Sequence, residues 1–155
     1  MSAASIRQQF STPLSVRMSL FDIEFLRSIG ERLEVNGERP SIELHEGGYL
    51  FLATAAGEAT LRENHALQRE LGADISLLDP AQLRVRFPWL NTDDLAAGTL
   101  GESGEGWFHG YGLVQAHRRS ARAMWRRKRW ASSATGGARP WYARRTARPM
   151  RGTSS

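Results

Sequence analysis

The last quarter of the chain limits what the whole can fold into, because it contains no acidic residue and few aliphatic ones. Residues 118–155 hold 11 Arg, one Lys (Lys128) and no Asp or Glu, a net charge of +12. Residues 1–117 hold 9 Arg against 16 Asp and Glu, a net charge of −7. The +5 of the whole chain is therefore the sum of two segments with net charges of opposite sign. A segment rich in Arg, Gly, Ser and Pro cannot bury enough apolar surface to build a core. We therefore expect one folded domain over 1–117 and a basic tail over 118–155, disordered or read out of frame.

Composition excludes several classes of protein. The 155 residues include no cysteine, which rules out disulfides and thiolate chemistry and leads us to expect a cytoplasmic protein. No apolar run approaches the roughly 18 residues of a membrane span. The opening "MSAASIRQQF" lacks the basic and apolar regions of a signal peptide. The four histidines show no zinc-ligand spacing, so we predict no metal site.

The segment from Thr12 onward predicts an amphipathic helix. Thr12 suits the N-cap and Pro13 the first helical position. A stripe at steps of three and four residues predicts the buried face, and it consists of Leu14, Met18, Phe21, Phe25 and Ile29.

The remaining pattern alternates strands and helices. It predicts a half-buried strand at Ile42 and Leu44, a turn or bulge at Gly47 and Gly48, and a deeply buried strand "YLFLAT". The pattern then predicts a helix over 57–71 that is closed by Gly72, followed by a strand "ADISLL" and a short helix capped by Asp79. It ends with a strand that closes on "AAGTLG" and with "EGWFHG", which leads into a helix near Tyr111. This order predicts an α+β fold, a mixed and mainly antiparallel sheet with helices on one face.

Few stretches suggest chemistry. The glycine-rich "GESGEG" (101–106) carries two glutamates that would repel phosphate, so we interpret it as a turn between strands. Trp89, Trp107 and Phe108 are interpreted as core plugs rather than as walls of a ligand cavity. "SIRQQ" places the polar donors Arg7, Gln8 and Gln9 before any core pattern begins, which fits either a binding segment or a solvated arm.

Four stretches in the same order, "SIRQQFSTPLSVRMSLFDIEFLR", "EGGYLFLAT", "LLDPAQLRVRFPWLNTDDLAAGTLG" and "GEGWFHGYGLVQAHRR", resemble the FAD-dependent oxidoreductases of the D-amino-acid oxidase, sarcosine oxidase and glycine oxidase superfamily. Such enzymes bind FAD through a G-x-G-x-x-G loop, which this sequence does not contain. The resemblance implies an incomplete substrate-domain portion of a longer enzyme. It places the segment that matches Ser5, Ile6, Arg7, Gln8 and Gln9 near the flavin ring, with Arg7 facing flavin and substrate, and leaves the catalytic residues unidentified. Where the family has Asp-Pro before its last helix, this chain has His109 and Gly110, a weaker helix start.

The resemblance ends within the helix after Tyr111. Met124 and Trp125 each have a single codon, and reading those bases two positions later gives valine; Trp130 with Ala131 gives glycine in the same way. That frame permits a strand-like sequence similar to the family's next strand, so we expect an out-of-frame tail. The alternatives are a disordered basic extension and a nucleic-acid-binding tail in which Trp125, Trp130, Trp141 and Tyr142 stack on bases.

We therefore expect a fragment of an enzyme that oxidises the C–N bond of an amino acid or amine by hydride transfer to flavin. Without the pyrophosphate loop, we expect this chain to hold FAD weakly and to be inactive alone. Two other functions stay open. One is a non-catalytic binding or assembly module with a protein partner, because one branch of the family is linked to assembly of a respiratory complex. The other is a basic nucleic-acid binder, which we do not favour.

Overall fold

The computed structural model describes residues 3–134, which form two antiparallel sheets surrounded by helices. In chain order the elements are β1 (Ala3–Ile6), α1 (Pro13–Arg27), α2 (Ile29–Arg32), β2 (Leu50–Thr54), α3 (Glu58–Glu70), β3 (Ile75–Leu78), α4 (Pro80–Arg86), β4 (Leu95–Gly101), β5 (Gly106–His109) and α5 (Gly110–Ala134). One sheet pairs β1 with β5, and the other has the order β2–β4–β3. The predicted α+β class and the antiparallel pairing are confirmed. Strand β1 was not predicted, and the single helix predicted from Thr12 is divided into α1 and α2.

Helix α1 begins as predicted but buries a different face. The Thr12 hydroxyl accepts a hydrogen bond from the Ser15 N–H at 3.4 Å, and Pro13 occupies the first turn. The predicted stripe is wrong at its first three positions, since Leu14, Met18 and Phe21 are 70, 58 and 63% exposed. Both faces of this helix are apolar, and periodicity alone could not choose between them. The core against β1 and β5 selects the opposite side, and the buried residues of the helix are Val16, Ser19, Ile23 and Leu26.

The predicted strand at Ile42 and Leu44 forms no regular ladder. Glu43 has φ +51°, which interrupts the extended backbone, although Ile42 is buried. His45 bridges to β5 through two hydrogen bonds with Trp107 at 2.8 and 3.0 Å, and the Ile42 carbonyl accepts a single hydrogen bond from the His109 N–H at 2.7 Å. The backbone geometry at residue 43 replaces the predicted strand by a segment that lies along β5 without a continuous ladder.

Three apolar positions are more exposed than predicted. Strand β2 is covered on one side only, because Leu52 is 40% exposed. Trp89 and Trp107 are 77 and 48% exposed, so the interpretation of both as core plugs is wrong. Phe108, the neighbour of Trp107 on the opposite side of β5, fills the core instead.

Two helix ends follow the sequence signals closely. Gly72 has φ +94° just after α3, a left-handed conformation that suits glycine at this position. Asp79 caps α4 through a capping box: its carboxylate accepts the Gln82 N–H at 2.8 Å, and the Gln82 side chain accepts the Asp79 N–H at 2.9 Å.

Helix α5 starts at Gly110 and passes through residue 118 without a break. The change in composition at 118 is therefore not marked by a helix end, and the division into 1–117 and 118–155 stays a prediction. Trp141 and Tyr142 lie outside the described residues, as does the side chain of Trp130. Within 3–134, no helix combines the length and apolarity that a membrane span requires.

Candidate functional site

The segment Ser5–Gln9 is placed by the short sheet of β1 and β5. Ser5 pairs with Trp107 and Ile6 with Gly106. Burial alternates along the segment: Ile6 and Gln8 are buried, whereas Ser5 and Arg7 are exposed. The alternation follows from the period of an extended strand, whose successive side chains point to opposite faces. Arg7 therefore projects away from the core into which Ile6 packs.

The Arg7 guanidinium lies over an aromatic surface. Its central carbon is 4.7 Å from the centre of the Phe10 ring and 5.9 Å from that of Phe51, within reach of a cation–π interaction. Among residues 3–134, no carboxylate forms an ion pair with Arg7. The Arg7 carbonyl accepts a hydrogen bond from the Ser19 hydroxyl, which fixes the backbone while the side-chain charge stays available.

Two cavities meet at Arg7 and Phe10. One measures about 460 Å³ and is also bordered by Met18, Asp22 and Tyr49. The other measures about 240 Å³ and is bordered by Phe51, Gln68 and Thr99, among others. A cation beside aromatic rings, with open space on both sides, can orient a planar anionic or carboxylate-bearing ligand.

Gln9 is fully engaged within the protein. Its side-chain amide donates to the Tyr49 carbonyl and to Glu105 Oε2, both at 2.9 Å, and its oxygen accepts the Thr99 hydroxyl at 2.6 Å. Gln8 is 3% exposed and its Oε1 has no partner within the described residues. The five predicted site residues are thus brought together, but only Arg7 and Ser5 present their side chains outward.

Glu105 holds the segment Ser5–Gln9 through hydrogen bonds on the buried side of that segment. Its carboxyl group is fully buried at 0% exposure and accepts four hydrogen bonds. The donors are the main-chain N–H groups of Gln8 (2.6 Å), Gln9 (3.0 Å) and Tyr49 (3.2 Å), and the Gln9 side-chain amide (2.9 Å). A buried carboxyl group is tolerated when its oxygens are met by such donors. The position of Arg7 therefore depends on Glu105.

The loop "GESGEG" connects β4 and β5, as predicted. It also carries Glu105, and its glycines pack closely around the Glu105 carboxyl group and Gln8. A side chain at Gly101 would collide with Glu105, with a Cβ only 2.1 Å from Oε2. At Gly104, where φ is +77°, a Cβ would lie 2.2 Å from the Gln8 amide nitrogen. The glycines thus let two strand ends close over Glu105, a role that the sequence analysis missed.

A second glutamate holds the same loop from outside. Glu46 receives the Arg27 Nε at 2.8 Å and the Gly104 N–H at 2.6 Å. The Arg27 hydrogen bond, assisted by the Gly104 N–H, holds the pKa of Glu46 below its usual value, and the same pair raises the pKa of Arg27. Glu46 and Glu105 together fix the loop that faces Gln8.

Two of the histidines make contacts within the fold, and no group of three or more His, Asp or Glu side chains that could hold an ion occurs in residues 3–134. His65 binds the Ile75 carbonyl at 3.0 Å, and His117 stacks on Phe25 at 5.7 Å between ring centres. Both contacts are those of structural histidines.

The described residues form an antiparallel α+β body, and sequence comparison identifies its family. Residues 2–145 match the model of the FAD dependent oxidoreductase family (DAO), and the chain belongs to that family. It is 46% identical over 125 residues to FAD-dependent oxidoreductase domain-containing protein 1 of Xenopus laevis, covering 80% of this chain and 25% of that protein. The Drosophila melanogaster homolog is 42% identical over 120 residues, with 77 and 23% covered.

Solved structures agree on the fold. L-proline dehydrogenase from P. horikoshii superposes with a TM-score of 0.60 at 22% identity, covering 76% of this chain and 29% of that one. Glycine oxidase from Geobacillus kaustophilus gives a TM-score of 0.54 at 27% identity, covering 73 and 30%. The predicted family is confirmed, as is FAD as the cofactor of the complete relatives. The chain spans about a quarter of the length of the curated relatives that it matches.

Proposed function

We propose that the chain is a substrate-domain portion of an FAD-dependent enzyme that oxidises the C–N bond of an amino acid or amine. The observation that carries the proposal is Arg7, a cation without an ion pair in residues 3–134 that lies over Phe10 and between two cavities. Support comes from the family match and from glycine oxidase and L-proline dehydrogenase among the similar structures.

The residues around Arg7 fit the ring portion of FAD better than its phosphates. Phe10 and Phe51 offer apolar surface, and the buried Gln68 has an Oε1 without a partner in the described structure beside the smaller cavity. Arg7 is therefore the group that would contact the flavin ring. The sequence has no G-x-G-x-x-G loop to hold the pyrophosphate.

FAD, when bound, would accept the hydride from the carbon next to the substrate nitrogen. The chain's own contribution is orientation. Arg7 would pair with a substrate carboxylate through its planar guanidinium, with Phe10 and Phe51 keeping water from that ion pair. Glu105 and Gln9 would keep the Arg7 backbone in place. Such positioning is how a residue outside the reacting atoms accelerates a reaction.

Riboflavin tests this assignment because it carries the flavin ring without phosphates. We expect the purified chain to retain no flavin, to bind riboflavin weakly by fluorescence quenching, and to lose most of that binding in Arg7→Ala. Arg17→Ala is the matched control, since Arg17 is an exposed arginine on α1 outside both cavities. Tightly co-purified FAD, or riboflavin binding that is the same in both variants, would refute the proposal.

A second function, that of a non-catalytic binding module, is favoured by one observation. Leu14, Met18 and Phe21 form an exposed apolar face on α1. A contiguous apolar surface of this kind is typical of a contact with further polypeptide. The two functions are compatible if the covering surface belongs to another part of the same enzyme fold.

A further inference from the structure

A concave groove of about 440 Å³ lies between residues 115–127 in the middle of α5 and the turn over 35–38, and none of its lining residues borders the cavities at Arg7. Its walls carry an unusual density of positive charge. The arginines that line it are Arg118, Arg119, Arg122, Arg126 and Arg127, all of them exposed.

Only one carboxylate lines this groove. Glu38 pairs with Arg119 at 2.9 Å, and its side chain is 74% exposed. The other four arginines form no ion pair within residues 3–134. Residues 118–155 contain no acidic side chain that could supply one. Four cations that share a groove repel one another, and a bound anion would remove that repulsion.

The spacing of the arginines suits a ligand with several anionic groups. Arg118, Arg122 and Arg126 recur every fourth residue, so they follow one face of α5 at intervals of about 6 Å along the helix axis. A guanidinium binds phosphate oxygens through paired hydrogen bonds, and a phosphate offers more charge and more acceptors than a carboxylate. We propose that this arginine groove binds a ligand with two or more phosphate groups.

The test titrates inorganic tripolyphosphate into the full chain by calorimetry at about 0.1 M salt, where charges more than about 10 Å apart are largely screened. Arg122→Gln with Arg126→Gln removes two groove charges, and Arg144→Gln with Arg145→Gln removes the same charge from the rest of the basic tail. We expect binding to weaken at least about tenfold in the groove variant, because each of its two substitutions removes charge-assisted hydrogen bonds to the ligand. The tail variant should change by less than about twofold, the loss of screened attraction alone.

Glu38→Gln gives an expectation of opposite sign. Removing the single carboxylate of the groove frees Arg119, so tripolyphosphate should bind more tightly. This variant also decides the matter if the groove variant loses its helical circular dichroism signal. No binding of tripolyphosphate, equal losses in the two double variants, or unchanged or weaker binding in Glu38→Gln would each overturn the proposal.

The source of the phosphates is distinguished by a second titration with a short oligothymidylate. If the oligonucleotide also binds and is weakened by the groove variant, the groove accepts phosphodiesters of a nucleic acid strand. If only tripolyphosphate binds, the ligand is a compact polyphosphate. Either result supports a phosphate site, and neither involves riboflavin, so failure here leaves the Arg7 assignment unaffected.

Discussion

Glu105 places a carboxyl group where the core would ordinarily hold an apolar side chain. It forms no ion pair within residues 3–134, and its four partners are all N–H donors. A change that removes the acceptor leaves those donors buried without a partner, which costs more than the hydrogen bonds themselves contribute. The residue therefore organises the Arg7 segment and cannot be replaced at small cost.

We expect Glu105→Ala to lower the free energy of unfolding by more than about 3 kcal/mol, since several donors lose their acceptor at roughly 1 kcal/mol or more each. Glu105→Gln should also destabilise the fold, because its amide would present N–H groups to the same donors. Urea unfolding measures both.

The neighbouring Glu102 is the control, as its carboxylate is exposed and pairs with Arg86 at 2.7 Å. Exposed ion pairs contribute little. If Glu102→Ala cost as much as Glu105→Ala, the argument from buried donors would be wrong.

Glu46 predicts a dependence of stability on pH. Its pKa lies below the ordinary 4.5 because Arg27 binds the ionised form. The pair therefore contributes its full stabilisation above about pH 4.5 and loses it as the pH falls through the lowered pKa. In urea unfolding from pH 6 to pH 3, we expect the difference between the wild type and Glu46→Gln to shrink. Glu63→Gln, exposed on α3, should show no such trend.

The sequence singled out Arg7 as a polar donor within the segment Ser5–Gln9 but could not reveal Glu105. The resemblance drew attention to the segment Ser5–Gln9, and the burial of Ile6 beside the exposure of Arg7 follows from strand alternation. The sequence predicts a turn at Glu105 because the two glutamates of "GESGEG" would repel phosphate, and burial of a glutamate is rare. The available signal was its setting between Gly101, Gly104 and Gly106, whose missing side chains leave space for a buried group.

At the scale of elements, helix α1 combines a buried face with an exposed apolar one. Leu14, Met18 and Phe21 lie on successive turns and remain mostly exposed. We expect Leu14→Gln with Phe21→Gln to reduce self-association, measured by analytical ultracentrifugation, with little change in melting temperature.

The matched comparison is Ile23→Gln, on the buried face at 2% exposure. That change should lower the melting temperature strongly, since it buries an amide in the core. Unfolding of the chain by the Leu14 and Phe21 changes would mean that their face is part of the core.

Helix α4 depends on Asp79, the N-cap residue that precedes it. Asp79→Ala removes the acceptor of the Gln82 N–H and should cost about 0.5–2 kcal/mol of stability, the usual loss of an N-cap. Asp79→Asn should retain most of that stability because asparagine is an equally good cap. Equal destabilisation by the two changes, measured by urea unfolding, would contradict the capping role.

The prediction of elements succeeded where the signal is local and failed where tertiary packing decides. Thr12, Asp79 and Gly72 mark helix ends through their own hydrogen bonds or backbone angles. Strand β1 has no local pattern; it exists because β5 pairs with it. The buried face of α1 likewise depends on contacts with residues distant in sequence.

At the scale of the whole molecule, the hydrophobic clusters lie N-terminal to residue 118, where the composition changes. The buried apolar residues of the described structure extend no further than Ala116. We therefore expect a chain that ends at Ala134 to keep the unfolding free energy of the full chain. A clear loss of stability would show that residues 135–155 contribute to the fold, against the predicted division at 118.

The bond from Gln8 to Glu105 joins positions 97 residues apart. During synthesis the main-chain amides of Gln8 and Gln9 leave the ribosome long before their acceptor, Glu105, is made. Until then these amides donate their hydrogen bonds to water. The Arg7 segment can settle only after nearly the whole folded part has emerged, because long-range contacts form after the intervening loop has closed. Removal of the first nine residues by a protease would in turn take away three of the four donors that the buried Glu105 carboxyl group has in the mature protein.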